Sequence, residues 1–470
     1  MRRVAAALLA RSRPNQRFRA ATEVPGIGQD VPFAPLAPAG SRRSRLGRQR
    51  ARCAPRVTAW PRATPFLGEL SRGTTRMLSL VMLGGLCTFC DELLDGSVEH
   101  LLHSALGGRK TSKGVVCGVH NNLFGTTIDR VLTDQLAVIG NLLGIRTGRN
   151  QPAATIRGLE TLDGQRVDVE PGGRLVLPRS NVRDDISDGR RDITISANSI
   201  ERASALTAQY MRRYPGRDLE NATIVESIVP THRPLRIDGA VGGEDAHRAI
   251  AKIAVVFVAS AVGTEAVRGA SAAAIRKFVL EGGDSADFVR MDYATPFPEV
   301  PDLGDFAVHA HRVAVFGDPS ARVACGFVEL FGAFRYTILI SDAWDGPAMA
   351  LHYAVDPVTA LHSEVSRTMP APITPTQFHA LRSSPDDARS YIERLWAAIS
   401  ARQADLRLER VIRDVFAEMF PPERLEQPTP EERMTAAREI TARFMAEHCG
   451  VPYSRTRPLE ASIRAEPENE

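Results

Sequence analysis

Cys87-Thr88-Phe89-Cys90, Glu99-His100 and Cys117-Gly118-Val119-His120-Asn121-Asn122 follow one another closely, so that two pairs of soft metal ligands enclose an acid and a histidine. Two intervening residues let the backbone turn once and return the second side chain of each pair to the first. Together Cys87, Cys90, Cys117 and His120 offer a closed tetrahedral set for one structural zinc, which would stand in for the apolar core that so small a module lacks. The enclosed residues suit a different task. Hydrolysis of a phosphodiester needs a base to deprotonate water and a cation to neutralise charge on the phosphate and the departing oxygen, and His100 beside Glu99 offers one group for each. If zinc draws Cys117 and His120 onto the start of a helix, Asn121 and Asn122 lie in its first turn, where an amide oxygen can reach a divalent ion opposite Glu99.

Read in full, these segments are Cys87-Cys90, then Glu99-His100-Leu101-Leu102-His103-Ser104-Ala105-Leu106-Gly107-Gly108, then Cys117 to His120 followed by Asn121-Asn122-Leu123-Phe124-Gly125-Thr126-Thr127-Ile128-Asp129. This pattern resembles the HNH endonuclease family, over residues 85 to 150. Weaker echoes follow in His247-Arg248-Ala249-Ile250-Ala251-Lys252-Ile253-Ala254 and in Leu330-Phe331-Gly332-Ala333-Phe334-Arg335-Tyr336. Two positions depart from the family pattern: His120 stands where a fourth Cys is usual, and His103 where Pro is usual. The resemblance implies a ββα-metal geometry, treble-clef-like, with one Mg²⁺ or Mn²⁺ between two strands and a helix. It further implies that His100 activates water, that Glu99 and Asn121 hold the metal, and that Asn122 or Asp129 orients the neighbouring groups. Products would carry a 5′ phosphate and a 3′ hydroxyl. Gly107-Gly108 makes the loop between the strands, and Arg109, Lys110 and Lys113 lie where phosphates would pass.

Plainer readings exist for the same residues. Zinc knuckles are often purely structural, and such a module can bind nucleic acid or a protein partner without catalysis. RNA is the alternative substrate. His103, three residues after His100, faces the other side if the stretch is a strand, and reads as structural. The run Gly107 to Gly114 lacks the spacing of a phosphate-binding loop, and Gly26-Ile27-Gly28 is too short for a dinucleotide fingerprint. Pairs such as Glu244 with His247, or His309 with His311, have no third ligand and read as core or surface residues.

The chain has 470 residues, enough for two or three domains, and its 43% hydrophobic content is that of an ordinary globular protein. No apolar run reaches membrane-spanning length. Of the six cysteines, Cys53, Cys325 and Cys449 are far apart and suggest no disulfide framework, and zinc thiolates require a reducing compartment, which points to the cytoplasm. The net charge of +4 conceals an asymmetry, since sixteen Arg face three acids up to Arg76 and leave the remainder at roughly −9. DNA affinity must then come from a local patch, formed by Arg109, Lys110, Lys113, Arg130, Arg146 and Arg149 against Asp129 and Asp134.

The expected architecture is α+β in four parts. Residues 1–76, rich in Arg and Pro and without Lys, read as disordered or as translated upstream sequence, with Met77 a candidate start. A transit peptide is the alternative for the extreme terminus. The zinc-bound nuclease module follows at 77–150, a larger α+β domain at 151–360 and a helical region at 361–470. In the larger domain a β-meander is expected from Ala154 to Leu177, helices over Ile200 to Arg213, Glu244 to Val262 and Ser271 to Leu280, and four strands between Val308 and Val355. Ser384-Pro385-Asp386-Asp387 and Thr429-Pro430-Glu431-Glu432 each announce a helix start, and these carboxy-terminal helices would pack on the body or pair with a second copy.

Overall fold

The computed structural model of the chain describes residues 17–21, 85–161, 164, 166–187, 190–197, 200–213, 223–228, 236–298, 303–424, 426–449 and 453–458. Most of residues 1–76, and Met77 with it, lie outside these. The described exception is β1 (Arg17–Ala21), a strand where irregular chain was expected, paired antiparallel along Arg236–Ala240.

In the module, β2 (Glu99–His100) and β3 (Thr111–Ser112) pair antiparallel, Glu99 opposite Ser112 and His100 opposite Thr111. The ladder is this short because residues 101–110 must fold back over the strand. A turn of 3₁₀ helix at Ser104–Leu106 does so, closed by Gly107 at φ 87°, a left-handed conformation that glycine adopts without strain. Then come α1 (Gly118–Thr126), with Cys117 at its N-cap, and α2 (Ile128–Leu143). Ile128, Leu132, Leu136, Ile139 and Leu143 recur every three or four residues along α2 and form its buried stripe. Gly144, at φ 65°, ends it.

The expected meander is present as β4 (Ile156–Glu160), β5 (Arg166–Glu170) and β6 (Arg174–Val176). A hairpin of β7 (Asn181–Ser187) and β8 (Arg190–Ser196), absent from the expected elements, precedes α3 (Ile200–Arg213), β9 (Thr223–Ile228) and β10 (Arg236–Ala240). Next is α4 (Glu244–Val262), in which twelve residues from Ala246 to Ala259 are buried, Lys252 among them. Short α5 (Thr264–Arg268) and α6 (Ala273–Glu281) follow.

An antiparallel six-stranded sheet comes next, in the order β11-β14-β13-β12-β15-β16, from β11 (Val289–Met291), β12 (His311–Asp318), β13 (Val323–Leu330), β14 (Phe334–Ser341), β15 (Met349–Val355) and β16 (His362–Arg367). Side chains alternate across it. Val313, Val315, Val328 and Tyr353 belong to the main core, where α4 lies. Ala314, Phe316, Phe327 and Ala350 point the other way, into a smaller cluster with Ile373 and with Phe378 of α7 (Pro375–Ala380).

The chain then runs through α8 (Pro385–Met419), α9 (Pro430–Cys449) and β17 (Tyr453–Pro458), the last paired with β9. Ser384 caps α8 at the expected residue, and with Asp387 it forms a capping box. Thr429 and Glu432 form the second through the Thr429 N–H to Oε2 at 2.8 Å and the Glu432 N–H to Oγ1 at 3.2 Å. The two helices pack on each other through Val411, Val415 and Ala436, with Arg443 held on both carboxylate oxygens of Glu418 at 2.8 and 2.7 Å. Leu395 and Ile399 of α8 enter the main core.

That core is continuous from Cys87 to Ile399. The module and the larger domain therefore share one interior, and residue 150 marks a change of composition rather than a break in packing. No helix among the described residues is long and apolar enough to cross a membrane.

Candidate metal centre and buried acid-base network

Cys87, Cys90, Cys117 and His120 converge, with their ligand atoms all within 4.8 Å of one another. Cys90 Sγ lies 3.8 Å from Cys117 Sγ, while His120 Nδ1 lies 3.6 Å from Cys117 Sγ and 4.0 Å from Cys87 Sγ. Tetrahedral zinc with ordinary bond lengths would set edges of about 3.8 Å between sulfurs and about 3.6 Å between sulfur and nitrogen. The donor set fits that ion. The N–H groups of Phe89 and Cys117 each donate to Cys87 Sγ at 3.4 Å. Phe89, His120 and Phe124 pack ring against ring beneath the site. Among the described residues this is the only group of three or more His, Cys, Asp or Glu side chains arranged to hold a metal.

Arg268, at the end of α5, grips the first knuckle from outside. Its Nη1 donates to the carbonyl oxygens of Cys87, at 2.6 Å, and Cys90, and its Nη2 pairs with Asp91 at 2.6 Å. Nothing in the sequence near the cysteines signals this residue, which follows Cys87 by 181 positions.

Glu99 is buried, and its Oε1 pairs with Lys252 Nζ at 2.6 Å. The same ammonium pairs with Asp129 Oδ2, also at 2.6 Å, and Asp129 in turn lies 3.6 Å from Nδ1 of His103. Lys252 is fully buried and sits 5.2 Å above the Phe124 ring. Burial opposes its charge, but the carboxylates of Asp129 and Glu99 outweigh that and hold its proton more firmly than usual. For Glu99, burial pushes the carboxyl up against the pull of Lys252. For Asp129, the opposing burial is overcome by His103 and Lys252, and the carboxyl titrates lower than usual. Among the described residues, the buried His103 Nε2 and Asp129 Oδ1 have no hydrogen-bond partner.

His103 does not follow the strand parity expected of it. The strand ends at His100, and His103 begins the 3₁₀ turn, so that burial holds its imidazole down to about 4. It is a neutral buried group beside Asp129.

His100 is half-buried. Burial first, then Arg149, Lys252 and Arg109, lower its proton affinity and leave a neutral imidazole at neutral pH. The segment Arg146 to Asn150 lies against it. A methyl group on Gly148 would meet Gly108 O at 2.6 Å, Ser104 Oγ at 2.9 Å and His100 Nε2 at 3.1 Å, so this approach requires glycine. Arg109 Nη1 bonds the Gly148 carbonyl at 3.3 Å and its Nη2 bonds that of Arg146 at 3.4 Å.

Asn121 closes the first turn of α1, its N–H bonded to the Cys117 carbonyl at 2.9 Å. Its Nδ2 donates to Ser97 Oγ and to the Val98 carbonyl, each at 2.9 Å. A carbonyl can only accept, so the amide nitrogen must face that loop and the amide oxygen is turned away from it. Asn122 and Lys113 are exposed, and Lys110 pairs with Glu364 of β16. Elsewhere, His247 bonds Ser285 Oγ at 2.9 Å and His309 lies 3.3 Å from Asp356, just before β12 begins. Neither belongs to a group of three or more such ligand side chains among the described residues.

Comparison with models of known protein families, with curated proteins and with solved structures gave no match in any of the three.

Proposed function

We propose that the chain is a metal-dependent endonuclease of the HNH type that hydrolyses phosphodiester bonds in double-stranded DNA. The observation that carries this reading is the setting of His100: a neutral, half-buried imidazole on a hairpin beside a Cys₃His cluster, next to a buried carboxylate and ringed by Arg149, Lys252 and Arg109. Such a group is suited to take a proton from water, and the solvent-accessible Arg149 and Arg109 to draw a phosphodiester to it. Zinc at the cluster would fix the hairpin against α1 and take no part in the chemistry. For the catalytic cation, Oε2 of Glu99 and Oδ1 of Asn121 are hard oxygen donors of the kind Mg²⁺ or Mn²⁺ takes. A divalent ion held there supplies positive charge to the phosphate and the departing 3′ oxygen. Asp129 orients its neighbours through Lys252 and His103. Arg109, Lys113 and Arg149 line the approach for the backbone, while Lys110 exchanges Glu364 for phosphate.

The test is incubation of the purified full chain with plasmid and with structured RNA, in Mg²⁺, Mn²⁺ or chelator, beside a His100→Ala control. Plasmid cleavage is expected with metal, and none by the variant, which keeps its zinc. A second reading, a zinc module that binds nucleic acid or a partner protein without cutting, draws on the pairing of Glu99 with Lys252 inside the fold. It replaces the first if the unmodified chain binds DNA yet cuts nothing with any metal. Cleavage of RNA alone would reassign the substrate, and a His100→Ala variant that cuts at the wild-type rate would remove the base.

A further inference from the structure

The sequence places Lys252 in the middle of an apolar helix, where a lysine costs stability unless its charge is answered. Of the buried residues of α4 between Ala246 and Ala259, it alone carries a charge, and both answers come from the module: Glu99 Oε1 and Asp129 Oδ2, each at 2.6 Å. A carboxylate has two oxygens, and a cation bound to one fixes the rotation of both. Without Lys252, the Glu99 carboxylate would lose the cation that fixes its rotation.

We propose that Lys252 is a positioning residue for the phosphodiesterase site: by holding Glu99 Oε1 it orients the carboxylate so that Oε2 alone is presented to the catalytic divalent ion. The inference rests on the endonuclease reading. Asp129 shares the ammonium and sets its place, with His103 Nδ1 3.6 Å from its Oδ2 in the same buried cluster. The cation that orients the acid comes from the larger domain, so the site is complete only when both regions are folded together.

The test uses the full chain, with plasmid cleavage followed across a Mn²⁺ titration and with zinc content and melting measured alongside. Lys252→Met keeps the length of the side chain and removes the charge. The manganese concentration for half-maximal cleavage is expected to rise about tenfold or more, as when a partner of a metal ligand is lost, while zinc remains bound. Because two buried carboxylates lose their partner, Asp129→Asn combined with Lys252→Met is the companion that removes their repulsion, and the same shift is expected of it. A purely structural lysine would lower the rate with the folded fraction and leave the midpoint in place. An unmoved midpoint in either folded variant therefore overturns the assignment while wild-type cleavage keeps the endonuclease reading. Loss of fold in both overturns it as well, leaving Lys252 a residue of the core. Failure of the unmodified chain itself to cut is a different result and removes the endonuclease reading together with this inference.

Discussion

Arg268 shows how much a metal site owes to atoms that never touch the ion. Its guanidinium bonds the carbonyls of two cysteines and the side chain of Asp91, so the backbone of the first knuckle is braced from outside the candidate ligand set. Arg268→Ala should lower zinc affinity by about 10- to 100-fold, the usual effect of removing a group that orients a ligand. Competition with a zinc chelator measures this, and an unchanged affinity would show that the cysteines need no such brace. At this scale the sequence was legible in part. The Cys and His ligands were recoverable because their chemistry is local, two residues apart, and the structure brings all four together. Lys252, Arg268 and Gly148 were not, since each acts across a long separation that no spacing rule spans. The one available signal was a charged residue within an otherwise apolar helical stripe, Lys252 in α4.

Among the elements, β12 reaches the module by a hydrogen bond from His311. His311 is fully buried, its Nε2 is 2.8 Å from the Leu106 carbonyl, and the Phe331 N–H donates to its Nδ1 at 3.1 Å. One nitrogen must accept and the other donate, so the ring is neutral with its proton on Nε2. Burial, the largest influence, holds it down to about 4. The folded chain thus refuses a proton that the unfolded chain accepts below about 6.5. Stability from this group is complete above that pH, falls as pH drops toward 4, and levels off below it, for a total of about 3 kcal/mol. Urea unfolding at pH 7, 5 and 4 should show the decline, and its difference from a His311→Gln variant should isolate it. A difference that stays flat between pH 7 and 4 would count against the neutral buried ring. The long, strongly periodic elements were those the sequence predicted well: α3 and α4 stand at the expected residues, whereas the β7–β8 hairpin and the short β11 and β16 were passed over. Three-residue β11 carries too few alternations to stand out from loop, and β7, β8 and β16 are mostly polar, with few apolar residues to mark a buried face.

For the whole molecule, the division at residue 150 has an energetic meaning that composition did not show. Cys87, Leu101, Leu132 and Val116 share a core with α4 and the sheet, so a fragment of residues 77–150 would expose that surface and lose Arg268, Lys252 and His311 at once. We expect this fragment to bind zinc yet to show little amide-exchange protection in α2, whose buried stripe faces α4 in the full chain. Protection of α2 equal to that in the full chain would mean that the module folds alone. The α+β class itself was readable, because helical and alternating periods occupy separate stretches. The shared interior was not, since it depends on which apolar faces meet.

The three side chains that reach back from the larger domain are also a matter of time. A ribosome makes the amino end first, and Arg268 follows Cys87 by 181 residues, His311 follows Leu106 by 205. At usual elongation rates the knuckles would wait on the order of 10 to 40 s for these partners. On the endonuclease reading, a nascent or prematurely terminated chain would carry the histidine and the zinc ligands without the lysine that aims the acid. Only a chain translated through α4 and the sheet would be armed.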